Sequence, residues 1–307
     1  MFRRAGRGVR SRIRVIAQSK SSKSKHVTGD GGGPILDRRR YRVSGPRLND
    51  KVAIVFGAGS IGEGWGNGKA AAAAYARAGA KVVAVDLNGA AADATRDIIL
   101  SEGHEAIAVA ADTTRLEDVQ RSVEAALAAF GRIDILHNNV GITSQGGPVE
   151  TSEETWDRVM TVNVKSMFLT CKAVLPVMEA QAAGAVINIG ALGGVRWTGY
   201  AYCAYAASKG AVNSFTQSIA LQYAGKGIRA NCILPGVMDT PHIYKQISGF
   251  YQDDEAMVAA RHKMSPTGRM GDGWDVAHAA VFLASDEARY VNGVELFVDG
   301  GMHARCN

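Results

Sequence analysis

From Leu48 onward the chain alternates between short apolar runs and longer stretches whose apolar residues recur at helical spacing. VAIVF (52–56), KVVAV (81–85), AIAVA (106–110), IDILH (133–137), AVINI (185–189), IRANCI (228–233) and VELFV (294–298) read as seven buried strands. Between them lie the alanine-rich KAAAAYARAG, a polar helix over about 90–102, and a helix from Arg115 to Phe130 with Leu116, Val119, Val123 and Leu127 in register. Further helices are expected around 152–182 and 203–225; Thr151 and Glu154 have capping-box spacing at the start of the first. Met167, Phe168, Leu169, Ala173 and Val174 on it would suit a subunit interface or a core equally. Strands without alternation, separated by amphipathic helices, predict an α/β fold: a single doubly wound parallel sheet with helices on both faces. Ligands on such a sheet bind at the carboxyl ends of the strands.

The 307 residues, 47% hydrophobic and 21% charged, suffice for one large core. Charge divides the chain. Residues 1–47 hold 14 Lys/Arg against 2 Asp/Glu, and residues 48–307 hold 21 against 27. The first segment reads as a basic, disordered extension with too few apolar groups to order itself, and the domain as residues 48–307. Its Arg-rich, acid-poor make-up is also that of a transit peptide, but its glycines make a poor amphipathic helix. A body with an acidic balance gives no basis for nucleic-acid binding. Cys171, Cys203, Cys232 and Cys306 are scattered, with no C-x-x-C and no His pair at metal spacing, so no metal site and a reduced, cytoplasmic setting are expected. No run reaches the roughly 18 apolar residues a membrane span needs.

The chemistry gathers on YCAYAASKG, where Tyr205 and Lys209 stand four apart at the start of a helix and so share one face. A lysine charge beside a phenol favours phenolate, which suits the pair to acid–base work. The first strand runs into GAGSIGEGWGNGKA and then a helix, the context in which glycines let the backbone approach a pyrophosphate at a helix N-terminus. Asp86 ends the second strand. A carboxylate there can take the adenosine ribose hydroxyls and repel a 2′-phosphate, favouring NAD over NADP; otherwise it caps the next turn.

With these motifs in this order, the chain from Leu48 to its end resembles the short-chain dehydrogenase/reductase family, single-domain Rossmann-type enzymes that usually form homotetramers or dimers. The resemblance implies an NAD-dependent oxidoreductase acting on a small molecule, with Tyr205 as acid/base, Lys209 lowering its pKa and holding the nicotinamide ribose, and Asn163 in TVNVKS holding a relay water. It implies further that Gly57, Gly62, Gly66 and Gly68 belong to the cofactor loop and that Asp112 meets the adenine. HNNVG supplies Asn138, a brace of the sheet counted also among the cofactor-binding residues, and Gly141 against the cofactor, and LPGVMDT offers Val237 and Thr240 to the carboxamide. A substrate lid is expected over about 241–265, with Ile243, Tyr244, Ile247, Phe250, Tyr251 and Met257 as an apolar face and His242, Lys245 and His262 for polar contacts. Trp197 and Gln145 are further pocket candidates.

The chain departs from the family twice. Gly57 stands eight residues before Gly66-x-Gly68 instead of three, which lengthens the loop by five. After the fifth strand the family's N-I-S-S is N-I-G-A, so Gly190 and Ala191 replace two serines, and alanine has no side-chain donor for the substrate oxygen. Three readings remain open. One is an NAD(H)-dependent alcohol dehydrogenase/ketoreductase in which Tyr202, Thr198 or water replaces the serine. Another is an enoyl-thioester reductase-like activity using Tyr202, which forms Y-x6-K with Lys209. The third is a cofactor-binding protein with little catalysis.

Overall fold

The computed structural model describes residues 47–305, so the basic extension, apart from Arg47, lies outside the described residues, as does Cys306. Strands β1 (Val52–Phe56), β2 (Lys81–Asp86), β3 (Ala106–Ala110), β4 (Ile135–Asn138), β5 (Gly184–Ile189), β6 (Ile228–Pro235) and β9 (Glu295–Val298) form one parallel sheet in the order β3-β2-β1-β4-β5-β6-β9. These are the seven strands expected from the sequence, with ends moved by no more than two residues. Order reverses between β1 and β4, where Phe56 pairs with Asn138. That is the switch point at which a doubly wound sheet opens a crevice at its carboxyl edge.

The central strands are buried on both faces because a helix layer covers each side of the sheet. Ala53, Val55 and Ala84 pack against α1 (Asn67–Arg77) and α9 (Gly273–Ala284). The alanines of α1 bury their whole run from Ala70 to Ala74, and side chains this small let helix and sheet approach closely. Ile54, Phe56, Val83 and Val85 face the other way, onto α3 (Leu116–Phe130) and α5 (Ser166–Gln181). α2 (Gly89–Ser101) is started by Asn88, whose Oδ1 accepts from the Ala90 and Ala91 amides at 3.1 and 3.4 Å.

One local expectation is corrected and another refined. The cap of α4 (Glu153–Met160) is Ser152, which accepts from the Thr155 amide at 3.2 Å; Thr151 instead donates to the Gly147 carbonyl at 2.8 Å and is committed to the turn before. The helical stretch expected around 152–182 contains a π-helical turn, Thr161–Lys165, between α4 and α5. Such turns commonly sit at functional sites, and this one carries Asn163.

After β6, the pair β7 (Met238–Asp239) and β8 (Gly271–Asp272) closes the base of an excursion. The excursion holds α7 (Pro241–Gln246) and α8 (Asp254–Met264), with Ile243, Met257 and Met270 in a small core of their own. Asp272 then starts α9 with a complete capping box, taking the Trp274 and Asp275 amides while Asp275 takes its own. Among the described residues no helix is long and apolar enough to cross a membrane.

Candidate active site

A cavity of about 700 Å³ lies at the carboxyl edge, over the switch point. Its floor is the loop after β1. Gly57 takes φ +80°, and a Cβ on Gly68 would lie 1.9 Å from the Gly57 carbonyl oxygen, so only glycine lets the start of α1 press against β1. α1 begins behind Gly66 with no side-chain cap and no acidic residue in its first turn, which leaves its amides and positive dipole end to an anion. Ser60 Oγ and Asn67 Oδ1, both at the cavity wall, are buried without a hydrogen-bond partner. The Ser60 hydroxyl, free to donate, and a capless helix start fit a cofactor pyrophosphate, while Asn67 Oδ1, an acceptor, would suit a donor such as a ribose hydroxyl or water.

At the β2 end Asp86 accepts from the Gly59 amide (2.9 Å) and the Asn88 amide (3.0 Å). It thus both faces the cavity and fixes the turn into α2, joining the two roles that its place at the strand end allowed. Each oxygen keeps a second lone pair for a ribose hydroxyl. Asp112 also lines this end, with Thr114 held on its Oδ1.

The opposite end carries the reactive groups. α6 (Cys203–Tyr223) presents Tyr205 and Lys209 to the cavity, with the Lys209 ammonium 5.9 Å from the Tyr205 ring centre. The Tyr205 hydroxyl makes no hydrogen bond among the described residues. Burial pushes its phenol up, a like effect from Tyr202 adds to this, and the Arg261 charge opposes it. Lys209 Nζ donates to the Ile189 carbonyl at 2.7 Å, and burial pushes its pKa down to about 8. Desolvation therefore outweighs the mutual support expected of the pair.

Asn163 is buried behind this wall. Its Oδ1 accepts from the Ile142 amide (2.8 Å), and its Nδ2 donates to the Ile142 carbonyl and to Ser208 Oγ (2.9 Å each); Ser208 in turn donates to the Tyr205 carbonyl at 2.7 Å. With both amide hydrogens committed, Asn163 positions the Ile142 segment and the first turn of α6. Gly141 faces the Lys209 ammonium, since a Cβ there would meet Nζ at 3.2 Å. Val237 and Thr240 line the wall beside the lid.

Two of the residues expected to hold the cofactor lie elsewhere. Asn138 is sealed under the sheet edge, donating to Asn188 Oδ1 at 2.9 Å and accepting from Thr170 at 2.7 Å, so it braces strands. Gly62 is outside the wall and faces Pro241. In its place stand Gly59 and Ser60. Of the lid, Ile243, Ile247 and His242 reach the cavity; His262 instead accepts from the Met270 amide, and Trp197 is 78% exposed outside the wall. Arg261, buried in the wall, was not among the expected residues.

The serine positions are also accounted for. A Cβ on Gly190 would meet Cys232 Sγ at 2.8 Å and Asn213 Oδ1 at 2.9 Å, and Ala191 lines the cavity. Tyr202 leans over Gly193, where a Cβ would meet its hydroxyl at 2.8 Å, and it shares a hydrogen bond with Thr198. Its ring is edge-on to Tyr205 at 5.2 Å. Among the described residues no cluster could hold a metal ion.

Residues 62–303 match a family model described as enoyl-(acyl carrier protein) reductase. The chain is 37% identical to a 2,5-dichloro-2,5-cyclohexadiene-1,4-diol dehydrogenase of Sphingobium indicum, over 83% of this chain and 97% of that one. A solved structure from Burkholderia xenovorans, assigned as a short-chain dehydrogenase/reductase, is 45% identical, with TM-score 0.82, covering 85% of this chain and 100% of that one. Another, from Beutenbergia cavernae, assigned as an NAD(P)-dependent gluconate 5-dehydrogenase with NADP bound at low occupancy, is 37% identical with TM-score 0.76, covering 85% and 100%.

Proposed function

The chain belongs to the short-chain dehydrogenase/reductase family, and from that premise we propose that it is an NAD(H)-dependent oxidoreductase interconverting a secondary alcohol and its ketone. The observation that carries this reading is the unbonded Tyr205 hydroxyl, set with Lys209 in the same cavity as the α1 cradle. Nicotinamide supplies or accepts the hydride when bound.

Tyr205 holds the proton at its hydroxyl, gives it to the ketone oxygen in reduction and takes it back in oxidation. With burial pushing its phenol up, Tyr205 is protonated at neutral pH and poised for reduction. Lys209, when charged, draws the phenol toward phenolate and so serves oxidation. Ala191 contributes no donor, and Tyr202, held by Thr198 on the cavity wall, is the hydroxyl that meets the substrate oxygen in its stead. Asp86 favours NAD, because a 2′-phosphate would face its carboxylate. The NADP in the Beutenbergia relative makes this a property to be measured in this chain.

The test is NADH and NADPH binding and oxidation over a panel of ketones, beside Tyr205→Phe. Tyr205→Phe should lower ketone turnover by roughly 10²–10⁴-fold. Retention of most of the activity in that variant would overturn the assignment. Binding of NADH with no ketone turned over would favour a cofactor-holding protein.

The description of the matched family model, together with Tyr202 in the wall, supports a second reading, reduction of an enoyl thioester. Enoyl turnover lost in Tyr202→Phe and kept in Tyr205→Phe would establish it. We also propose assembly as a dimer or tetramer through α5 and α6, which leave Phe168 47% and Leu221 80% exposed; a monomer by light scattering would refute this.

A further inference from the structure

α8 ends in a run of three basic residues, Arg261, His262 and Lys263. Arg261 turns inward: it is 5% exposed and forms part of the cavity wall. A guanidinium stays charged at any working pH, and a buried charge is normally offset by a carboxylate. Here there is none. Nη1 lies 3.2 Å from the Tyr200 hydroxyl, Tyr251 bonds the same group, and Nε is buried with no partner. No Asp or Glu among the described residues pairs with it within 4.0 Å. Phenol hydroxyls accept hydrogen bonds without neutralising a charge.

The charges along the cavity are sorted. Its only acidic lining residues, Asp86 and Asp112, follow β2 and β3, at the cofactor's adenosine end. The rest of the lining carries Arg158, Lys209 and Arg261 and no carboxylate. His242 adds no charge there, since burial and the neighbouring Lys209 and Arg261 push its pKa down to about 4. Lys209 is engaged on the Ile189 carbonyl, and the remaining cations of the lining are Arg158, which is exposed to solvent, and Arg261, which is buried and so is the one whose charge water does not offset.

Arg261 and Tyr205 line the same cavity and are linked by a row of rings. The Tyr200 ring, which it contacts, stacks on Tyr202 at 5.7 Å, and Tyr202 stands 5.2 Å from Tyr205. One small molecule can therefore reach Tyr205 at one end and Arg261 at the other, its carbon chain lying along a row of three tyrosine rings.

Resting on the oxidoreductase reading, we propose that Arg261 is a binding site for an oxyanion on the substrate, so that the enzyme takes hydroxy or oxo compounds carrying a carboxylate, sulfonate or phosphate a few carbons from the reacting centre. Guanidinium suits all three, because its planar fork matches their oxygens.

The experiment titrates the protein–NAD+ complex, which has no hydride to give an oxo acid, by calorimetry at pH 7 with 3-oxobutanoate, 4-oxopentanoate and 5-oxohexanoate, each beside its methyl ester. The oxosulfonate and oxoalkyl phosphate of matching length form separate arms that identify the preferred oxyanion. Acids should bind roughly tenfold to a hundredfold tighter than esters. Arg261→Gln should abolish that preference and Arg261→Lys should keep part of it, with melting temperature recorded for both as a check of the fold. Acids and esters binding alike in the unaltered protein, or a preference that survives in Arg261→Gln, would overturn the proposal. Binding is read without turnover, so Tyr205→Phe should keep the acid preference while losing activity. If NAD+ itself does not bind, the oxidoreductase reading fails, and titration of the protein alone still decides whether Arg261 takes the acid.

Discussion

Replacing Gly68 by alanine tests the cradle with a single methyl group. The added carbon would lie 1.9 Å from the Gly57 carbonyl oxygen, 2.6 Å from Asn139 Nδ2 and 2.9 Å from the Gly57 carbonyl carbon. A carbon and a carbonyl oxygen rest at about 3.3 Å or more, so the first turn of α1 must retreat by on the order of 1.4 Å. Neither side yields easily: Gly57 is held by its amide on the Val85 carbonyl at 2.8 Å, and Asn139 by its bond to the Gly57 oxygen at 3.1 Å. Alanine gains about 1 kcal/mol of helix propensity over glycine, but overpacking costs roughly 1–3 kcal/mol and more against backbone. The clash wins, by about 2 kcal/mol, which lowers the melting temperature by roughly 4–8 °C.

The same retreat draws the α1 amides off the pyrophosphate. Losing one charge-assisted hydrogen bond worth about 1.5–3 kcal/mol weakens NADH binding by roughly tenfold to a hundredfold. Differential scanning fluorimetry and NADH fluorescence titration read the two effects, with Gly225→Ala as control, since a Cβ there meets nothing within 4 Å. Unchanged melting and unchanged affinity in Gly68→Ala would refute the packing argument. A lowered melting temperature with full NADH affinity would refute the placement of the pyrophosphate.

Below pH 8 both folded and unfolded chains hold the Lys209 proton, and the buried charge costs stability; between about 8 and 10.5 only the unfolded chain holds it, so this cost fades as pH rises. Lys209→Met should therefore raise the melting temperature most at pH 7 and progressively less toward pH 10; an advantage that grows with pH would contradict it. Tyr202→Phe should cut ketone reduction by about a hundredfold if its hydroxyl has taken the serine's place, and Ala191→Ser should recover much of that loss in the double variant; a neutral Tyr202→Phe would point to water as the donor. Asp86→Asn keeps an acceptor for the Gly59 amide while removing the charge, and should shift the NADH to NADPH affinity ratio by at least about tenfold toward NADPH, an outcome that paired fluorescence titrations would exclude if the ratio stayed put.

The strands were legible because burial on both faces forces continuous apolar runs, and those runs announce themselves without context. The reactive pair was legible for a similarly local reason, since Tyr205 and Lys209 are set by one helix's own spacing. What escaped depended on groups brought from far along the chain. Thr151 and Ser152 both offer a capping hydroxyl, and only the position of the Gly147 carbonyl decides between them. The π turn at Thr161–Lys165 leaves no mark in the apolar pattern. Asn138 borders the crevice in sequence, yet its amide is consumed by Asn188 and Thr170 from two other elements. In a loop so rich in glycine, spacing alone could not tell Gly59, which lies against Asp86, from Gly62, which faces the lid. Arg261 was the hardest case, because its meaning lies in the carboxylate that no packed element provides.

The loss of the usual serine has a physical pattern of its own. Gly190 is compelled by packing, since Cys232 and Asn213 fill the space a Cβ would need. Gly193 is equally compelled, by the hydroxyl of Tyr202. Ala191, between them, lines the cavity. If the serine had simply been lost, nothing would require a seat at Gly193 matched to Tyr202, or a Thr198 bond to aim that hydroxyl. Seat and bond together support a donor that has moved to another side chain rather than vanished. Gly193→Ala, which fills the seat and pushes Tyr202 away, should cost as much reduction as Tyr202→Phe while leaving NADH affinity intact. Ketone turnover by Gly193→Ala at the rate of the unaltered chain would refute a relocated donor.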